Sequence, residues 1–399
     1  MNKSILFLLF FVINNCVIGQ YYVVDYLSKK PIEAVHISYG ENKGFISNED
    51  GYIIIPDFLE IDTLLFSHIS YRSKKIPVES LSDTIFLKES EKILEEIVVK
   101  SFNARDTIAK AVSMIENNYL STPHNSHGFY RQSLQEDSMG VELIEIDFIS
   151  FLKNHRSSYK AEIIDGQKTK NYSKLGLITH GGIVQLLNET DLIKRNYLFL
   201  GTQDIDDYLF SYEGTIEYGS FDVYKVCFKP YYDNSLDFYH NGELYIDTKS
   251  LAIVEFRISV DKKKIDRKNM LINKKYKRQS KKKAVYIIKD IKVQLKYQLL
   301  PNKKWALFFV KLENKRQGVF RDQSHIYDLS SSMVINDVVT DDVNENVDEN
   351  YSVYKDLSKE LDKIKSITSW GNNYNISLSE NDQRILNDIF KKELDNKYK

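Results

Sequence analysis

Cysteine is nearly missing from this chain. Its 399 residues hold two cysteines, six prolines and 16 glycines. So little proline and glycine argues against a turn-dense module and favours long strands. Charge of one sign is missing too: 55 basic residues face 56 acidic ones, a formal net charge of −1, so no global field draws a polyanion. Catalytic punctuation is equally scarce. The sequence has no G-x-S-x-G elbow, no G-x-x-x-x-G-K-[ST] loop, no H-E-x-x-H and no C-x-x-C. Past the N-terminus, no apolar run approaches the roughly 20 residues that a membrane-spanning helix needs.

What remains is apolar and aromatic. Some 42% of residues are hydrophobic, with 27 tyrosines and 21 phenylalanines, enough for more than one buried core. The first 19 residues, MNKSILFLLFFVINNCVIG, set Lys3 before an apolar stretch and end in small residues. That order is a signal peptide with cleavage before Gln20 and places the chain outside the cytoplasm, in the periplasm or at the outer membrane. Asn14 and Asn15 ahead of Cys16 fill positions where a lipid-attachment signal wants small residues. After cleavage only Cys227 remains, which excludes an internal disulfide, and its YKVCF setting reads as a small buried hydrophobe.

Residues 20–100 form a procession of short runs, among them YYVVDY, EAVHISY, GYIIIP, TLLFSHIS and DTIFL, divided by turn signals. Strands at this spacing predict a β-sandwich. Asn48-Glu49-Asp50-Gly51 poses a choice between an ion site and a turn. A calcium loop wants an oxygen ligand where Ile46 stands, whereas Gly51 supplies the positive φ of a bulged hairpin, so the oxygens turn the chain.

Pro31-Ile32, Ser47-Asn48, Gly51-Tyr52 and Leu94-Glu95-Glu96-Ile97-Val98-Val99 together resemble the carboxypeptidase-regulatory-like family, a transthyretin-type sandwich; Ser70-Tyr71 stands where that pattern has Gly-Tyr. The resemblance implies an appendage without catalytic residues. In envelope proteins such a domain often precedes a TonB-dependent barrel, for which the remaining 300 or so residues are too few.

Arg105–Leu120 carries apolar residues at three- and four-residue spacing and predicts an amphipathic helix ended by Pro123 and the polar stretch TPHNSHG. Long alternating runs then predict a curved antiparallel sheet over 104–335, interrupted by the helical spacing of GGIVQLLNETDLIK. Asn241-Gly242 reads as one hairpin turn and Asp247-Thr248-Lys249-Ser250 as the next. Asn118-Tyr119 with Pro123, Gly128-Phe129-Tyr130-Arg131 and Gly242 to Ile253 resemble a Gram-negative cell-envelope family of unassigned activity in which the regulatory-like sandwich comes first. The late strands are also similar to the half-barrels of lipoprotein carriers.

The tempting chemical groups have plainer readings. His240 and Glu243 form a His-x-x-Glu pair that His325 could complete to the three protein ligands of a zinc peptidase. A hairpin turn would instead put the pair on polar shoulders, and the helix–strand alternation of a metallocarboxypeptidase domain is missing. His124 and His127 read as a solvated loop, and Glu142, Glu145 and Asp147 as an exposed strand face, with Glu145 and Asp147 on one side. The lysine-rich segment 261–283 reads as a solvated arm, with anionic lipid as the sharper reading; export excludes nucleic acid. An acidic linker opens the 336–399 tail, which carries two amphipathic helices, Tyr351–Ile367 and Ser379–Tyr398, the second with Ser379 as N-cap and Asp382 three residues on.

The expectation is therefore an exported, non-enzymatic envelope protein without cofactor, metal or catalytic site. It binds a hydrophobic ligand or an envelope partner. A zinc-dependent hydrolase using His240 and Glu243, and a structural component of the outer membrane, are the rivals. Phe148, Phe151, Tyr197, Phe199, Phe238 and Tyr245 are candidates to line a cavity.

Overall fold

A computed structural model of the chain describes residues 19–397 apart from 41–42, 57–60, 91–101, 175–181, 196–197, 202–204, 220, 232–239, 267–268, 270–284, 322, 348–356, 358–360, 362–369 and 371–374. The expected signal peptide with Cys16, the LEEIVV motif, most of the lysine-rich arm, most of the expected first tail helix, Tyr197 and Phe238 lie outside the described residues.

Seven short strands make the first layer pair: β1 (Gly19–Asp25), β2 (His36–Tyr39), β3 (Lys43–Ile46), β4 (Tyr52–Ile55), β5 (Thr63–His68), β6 (Tyr71–Pro77) and β7 (Thr84–Leu87). They pair as β4-β1-β7 and β3-β2-β5-β6, with β1 parallel to β7. Alternation explains the pairing of the layers: Val23, Ile37, Phe45, Ile53, Leu64, Phe66 and Ile85 point inward and are all but inaccessible. The 48–51 stretch turns the chain as expected. Gly51 has φ +69° and donates its N–H to the Asn48 carbonyl, while Asn48 Oδ1 accepts from the amides of Asp50 and Tyr52.

Ten longer strands follow: β8 (His124–Glu136), β9 (Met139–Leu152), β10 (Lys160–Lys168), β11 (Tyr208–Tyr218), β12 (Phe221–Pro230), β13 (His240–Asp247), β14 (Ile253–Val260), β15 (Val285–Leu299), β16 (Trp305–Phe320) and β17 (Gln323–Val339). They form one antiparallel sheet in the order β10-β9-β8-β17-β16-β15-β14-β13-β12-β11, so β10 and β11 are its two edges and no barrel closes. The chain is mainly β, as its patterning predicts.

Two sequence expectations fail here. Asn241-Gly242 is no turn. Both residues lie inside β13 and pair with Ser259 and Ile258, and a Cβ on Gly242 would sit 2.1 Å from the Arg257 carbonyl oxygen, so the glycine serves close strand approach. The turn expected at Asp247–Ser250 does form. His124 to His127 belong to β8 rather than to a loop, with His124 buried and His127 exposed.

Helix α1 (Ala104–Ser113), capped by Asn103, and α2 (Ile115–Asn118) lead into the sheet. Between β10 and β11 run α3 (Gly182–Thr190), α4 (Leu192–Arg195) and two short 3-10 turns. The main core joins these helices to one face of the sheet, called here the inner face. Helix α5 (Glu380–Lys397) packs on the other side, against β9 and β8. It begins as the sequence predicts: Ser379 Oγ accepts from the Asp382 amide and Asp382 Oδ2 from the Ser379 amide. Leu361 lies against Gly166 on the inner face, while residues 375–397 lie on the outer one. Described residues of the tail thus lie on both faces of the sheet.

Candidate functional site

The two faces of the large sheet differ in chemistry. On the inner face, Tyr130, Ile144, Ile146, Phe148, Leu244, Phe256, Leu295, Val310 and Met333 meet Ile183, Val184, Leu186 and Leu187 of α3, Leu192 and Ile193 of α4, and Leu198, Phe199 and Leu200 of the following turn. Phe199 packs edge-to-face on Tyr208, Phe210 and Phe228, which pins the cover over β11 and β12. Of the aromatic residues proposed from sequence, Phe148 and Phe199 belong to this face. Tyr245 points the other way, donating to Glu243, and Phe151 is buried outside the main cluster.

One buried carboxylate fastens the cover. Asp191, between α3 and α4, accepts 2.8 Å hydrogen bonds from the hydroxyls of Tyr159 and Tyr297. Burial, then the neighbouring Asp191 charge, pushes both phenols well above their ordinary range, so both stay donors. Beside them, Tyr119 donates to the Ile253 carbonyl and His155 Nε2 meets the Leu120 carbonyl at 2.8 Å. Burial lowers the pKa of His124, which shares this small cavity of about 20 Å³.

The outer face carries a mostly polar row across all ten strands. Strand registry aligns Gln167, Glu145, Arg131, Ser332, Lys311, Gln294, Arg257, Glu243, Cys227 and Ser211 in one row over all ten strands. Arg131 is 4% exposed and donates to Glu145 Oε1 and to the carbonyls of Ile376 and Ser377 in the tail. Glu145 and Glu142 are therefore buried rather than an exposed strand face. Further along, Glu255 is inaccessible and accepts from Arg257 at 2.6 Å and Gln294 at 2.8 Å. Burial alone would raise its pKa, but Arg257 and Lys296 bring it below the usual carboxylate range. Burial depresses Lys296 to about 8, against the pull of Glu255.

The small sandwich sits on this polar face. Lys296 donates to the Ala34 carbonyl, and the His36 ring lies 4.0 Å, centroid to centroid, from Phe308. Ala34, Ile46, Phe129, Phe308, Phe309, Val334 and Ile376 make a small apolar seal. Two clefts flank it. One of about 980 Å³ is lined by Glu33, His68, Lys229, Glu243, Arg257 and Lys292 among others; the second, of about 360 Å³, includes Glu49, Arg131, Lys311, Lys315, Asp328 and Asp382.

The zinc triad considered from sequence does not assemble. His240 on β13 and His325 on β17 are separated by β14, β15 and β16, about 19 Å at ordinary strand spacing. Glu243 is held by Lys225 at 2.6 Å and by the Tyr245 hydroxyl at 2.7 Å. His325 instead meets Asp137 and Glu136. Sequence reasoning gave no role to Arg131, Asp191 or Lys296, each of which has a partner more than 100 residues away in the chain: Ser377, Tyr297 and Ala34. Among the described residues, no helix is long and apolar enough to cross a membrane.

No protein-family model and no curated protein matches this chain. Three solved structures are similar at low level. A DUF1329 family protein from Desulfovibrio piger has 8% identity and a TM-score of 0.24 over 59% of this chain and 94% of its own. A LolA superfamily protein from Nitrosomonas europaea has 10% identity and a TM-score of 0.21 over 59% and 95%. Lipovitellin has 9% identity and a TM-score of 0.24 over 63% and 29%. Likeness at this level assigns neither family nor ligand.

Proposed function

We propose that this chain is an exported envelope protein without enzymatic activity that holds an apolar ligand between the inner face of its ten-stranded sheet and the α3–α4 cover. One observation carries the reading. The cover is short, nearly all its inward side chains are apolar, and it crosses the gap between the two unpaired sheet edges. A segment of this kind leaves its seat at lower cost than a sheet strand, because few ladder hydrogen bonds hold it. Entry of the ligand displaces α3 and α4 and substitutes one apolar surface for another. The transthyretin-type likeness of the seven-stranded sandwich belongs to the same proposal, as a rigid mount on the polar outer face.

Native mass spectrometry and solvent extraction of the purified, detergent-free protein test this. The expected result is stoichiometric co-purified lipid, or uptake of a fluorescent long-chain fatty acid that is lost when Leu187 is replaced by Asp. An empty protein that takes up no such probe refutes it.

A second reading rests on the cleft of about 980 Å³, whose charged lining suits an envelope protein partner better than an acyl chain. Cross-linking from Lys229 or Lys292 to a partner in envelope extracts, abolished by Arg257→Glu, distinguishes it.

A further inference from the structure

We propose that Glu136, Asp137 and His325 form a binding site for a divalent transition-metal ion, with zinc the ion best suited to their donors. Two chain segments meet there. Glu136 ends β8, Asp137 opens the tight turn to β9 with φ +52°, and His325 lies near the start of the neighbouring β17. The pairing of Tyr327 with Glu136 and the bond from the Asp137 amide to the Ile326 carbonyl hold the segments together.

The ligand atoms are close: His325 Nδ1 is 2.6 Å from Asp137 Oδ2 and 3.6 Å from Glu136 Oε1. Ligands about 2.0–2.1 Å from a tetrahedral zinc lie roughly 3.3 Å apart; the 3.6 Å spacing is close to that, while the 2.6 Å contact is a His325–Asp137 hydrogen bond that a bound ion would replace. Each carboxylate is anchored through its other oxygen. Glu136 Oε2 accepts from Ser173 Oγ at 2.9 Å and the Lys174 amide at 2.8 Å, and Asp137 Oδ1 accepts from the Ile326 amide at 2.9 Å. Outer contacts of this sort orient metal ligands and leave one oxygen of each pair directed at the ion.

The independent sign is Glu136 Oε1. Its side chain is 2% exposed, yet among the described residues this oxygen has no hydrogen-bond partner; the Tyr327 hydroxyl, buried and equally unpaired, lies beside the Glu136 carboxylate, and His325 Nδ1 is 3.6 Å away. A buried carboxylate oxygen left in this way asks for a water or an ion. The competing cation is Lys174, whose ammonium lies 3.8 Å from Glu136 and 4.0 Å from Asp137 but is 66% exposed and can swing into solvent. One imidazole and two carboxylates are a mixed nitrogen and oxygen set, which suits zinc and leaves a position for water. The ion would staple two strands and the loop after β10. Nothing in this depends on the apolar ligand proposed above.

The test is titration of chelator-treated, tag-free full-length protein with Zn²⁺ by calorimetry and with Co²⁺ by visible absorption. The expected result is one site per chain, a rise in Tm with Zn²⁺, and at least tenfold weaker binding in both Glu136→Gln and His325→Ala. Circular dichroism checks that each variant is folded, and Asp137→Asn replaces either one that is not. Absence of binding, or isotherms and Co²⁺ spectra that the substitutions leave unchanged, overturns the site.

Discussion

Asp50 Oδ2 accepts the amide N–H of Glu380 at 2.7 Å, so a turn of the N-terminal sandwich caps the first turn of a helix 330 residues later. Asn48 in the same turn donates to the Leu378 carbonyl at 3.1 Å. The crowded polar residues of this hairpin therefore serve twice, bending the chain and seating the tail. Replacement of Asp50 by Ala is expected to cost about 0.5–2 kcal/mol, the range for a lost helix cap. Hydrogen exchange in 380–385 reads it; unchanged protection there would mean the contact has no weight.

Arg131 is the stronger fastening. Its guanidinium is divided between Glu145, two tail carbonyls and, at 3.5 Å, the Asp382 carboxylate. Arg131→Ala strands a buried carboxylate and is expected to cost about 3–5 kcal/mol. The double variant Arg131→Met, Glu145→Leu should recover part of that loss in urea melts, because it removes the Glu145 charge while Asp382 Oδ2 still accepts from the Ser379 amide. Both variants should still speed proteolysis of the 375–397 segment, since neither restores the carbonyl contacts.

The Asp191 clip governs the cover. Tyr159→Phe and Tyr297→Phe each remove one hydrogen bond to a charged acceptor and are expected to cost about 1.5–3 kcal/mol. Under the proposed function either change also speeds uptake of the fatty-acid probe. Stability loss without faster uptake would separate the clip from ligand entry.

Acid should loosen the seat of the sandwich. Burial, then the nearby Lys296 charge, depresses His36 to about 3, and His68 is lowered for the same reasons. A histidine whose folded pKa lies below its unfolded value of 6.5 contributes full stability above pH 6.5. That stability falls as the pH drops toward 3, because the unfolded chain binds a proton that the folded one refuses. The slope is at most about 1.4 kcal/mol per pH unit for one group. His36→Leu should flatten the wild-type curve between pH 6 and 4, measured as the difference between the two proteins. A difference that does not change with pH would count against this account.

Much of the fold is legible in the sequence. Period-two runs located most of the described strands, apolar residues three and four apart located α1 and α3, and the Ser379-to-Asp382 spacing located the start of α5. The failures are equally specific. Asn241-Gly242 has the composition of a tight turn, but β13 is central in the sheet and the strand ladder on both sides decided its conformation. Glu145 and His124 looked solvated because a polar side chain gives no local sign that a partner from another segment will cover it.

By itself the sequence determined the alternation that demands extended sheets and a tail helix with its own capping box. Those features depend on neighbours within a few residues, which the linear order already supplies. Tertiary structure alone decided that nine polar residues and Cys227 fall into one row, that Arg131 holds the tail, that Asp191 clasps two tyrosines, and that His325 meets Glu136 instead of His240. Strand order and register set these meetings, and both come from packing summed over the whole sheet.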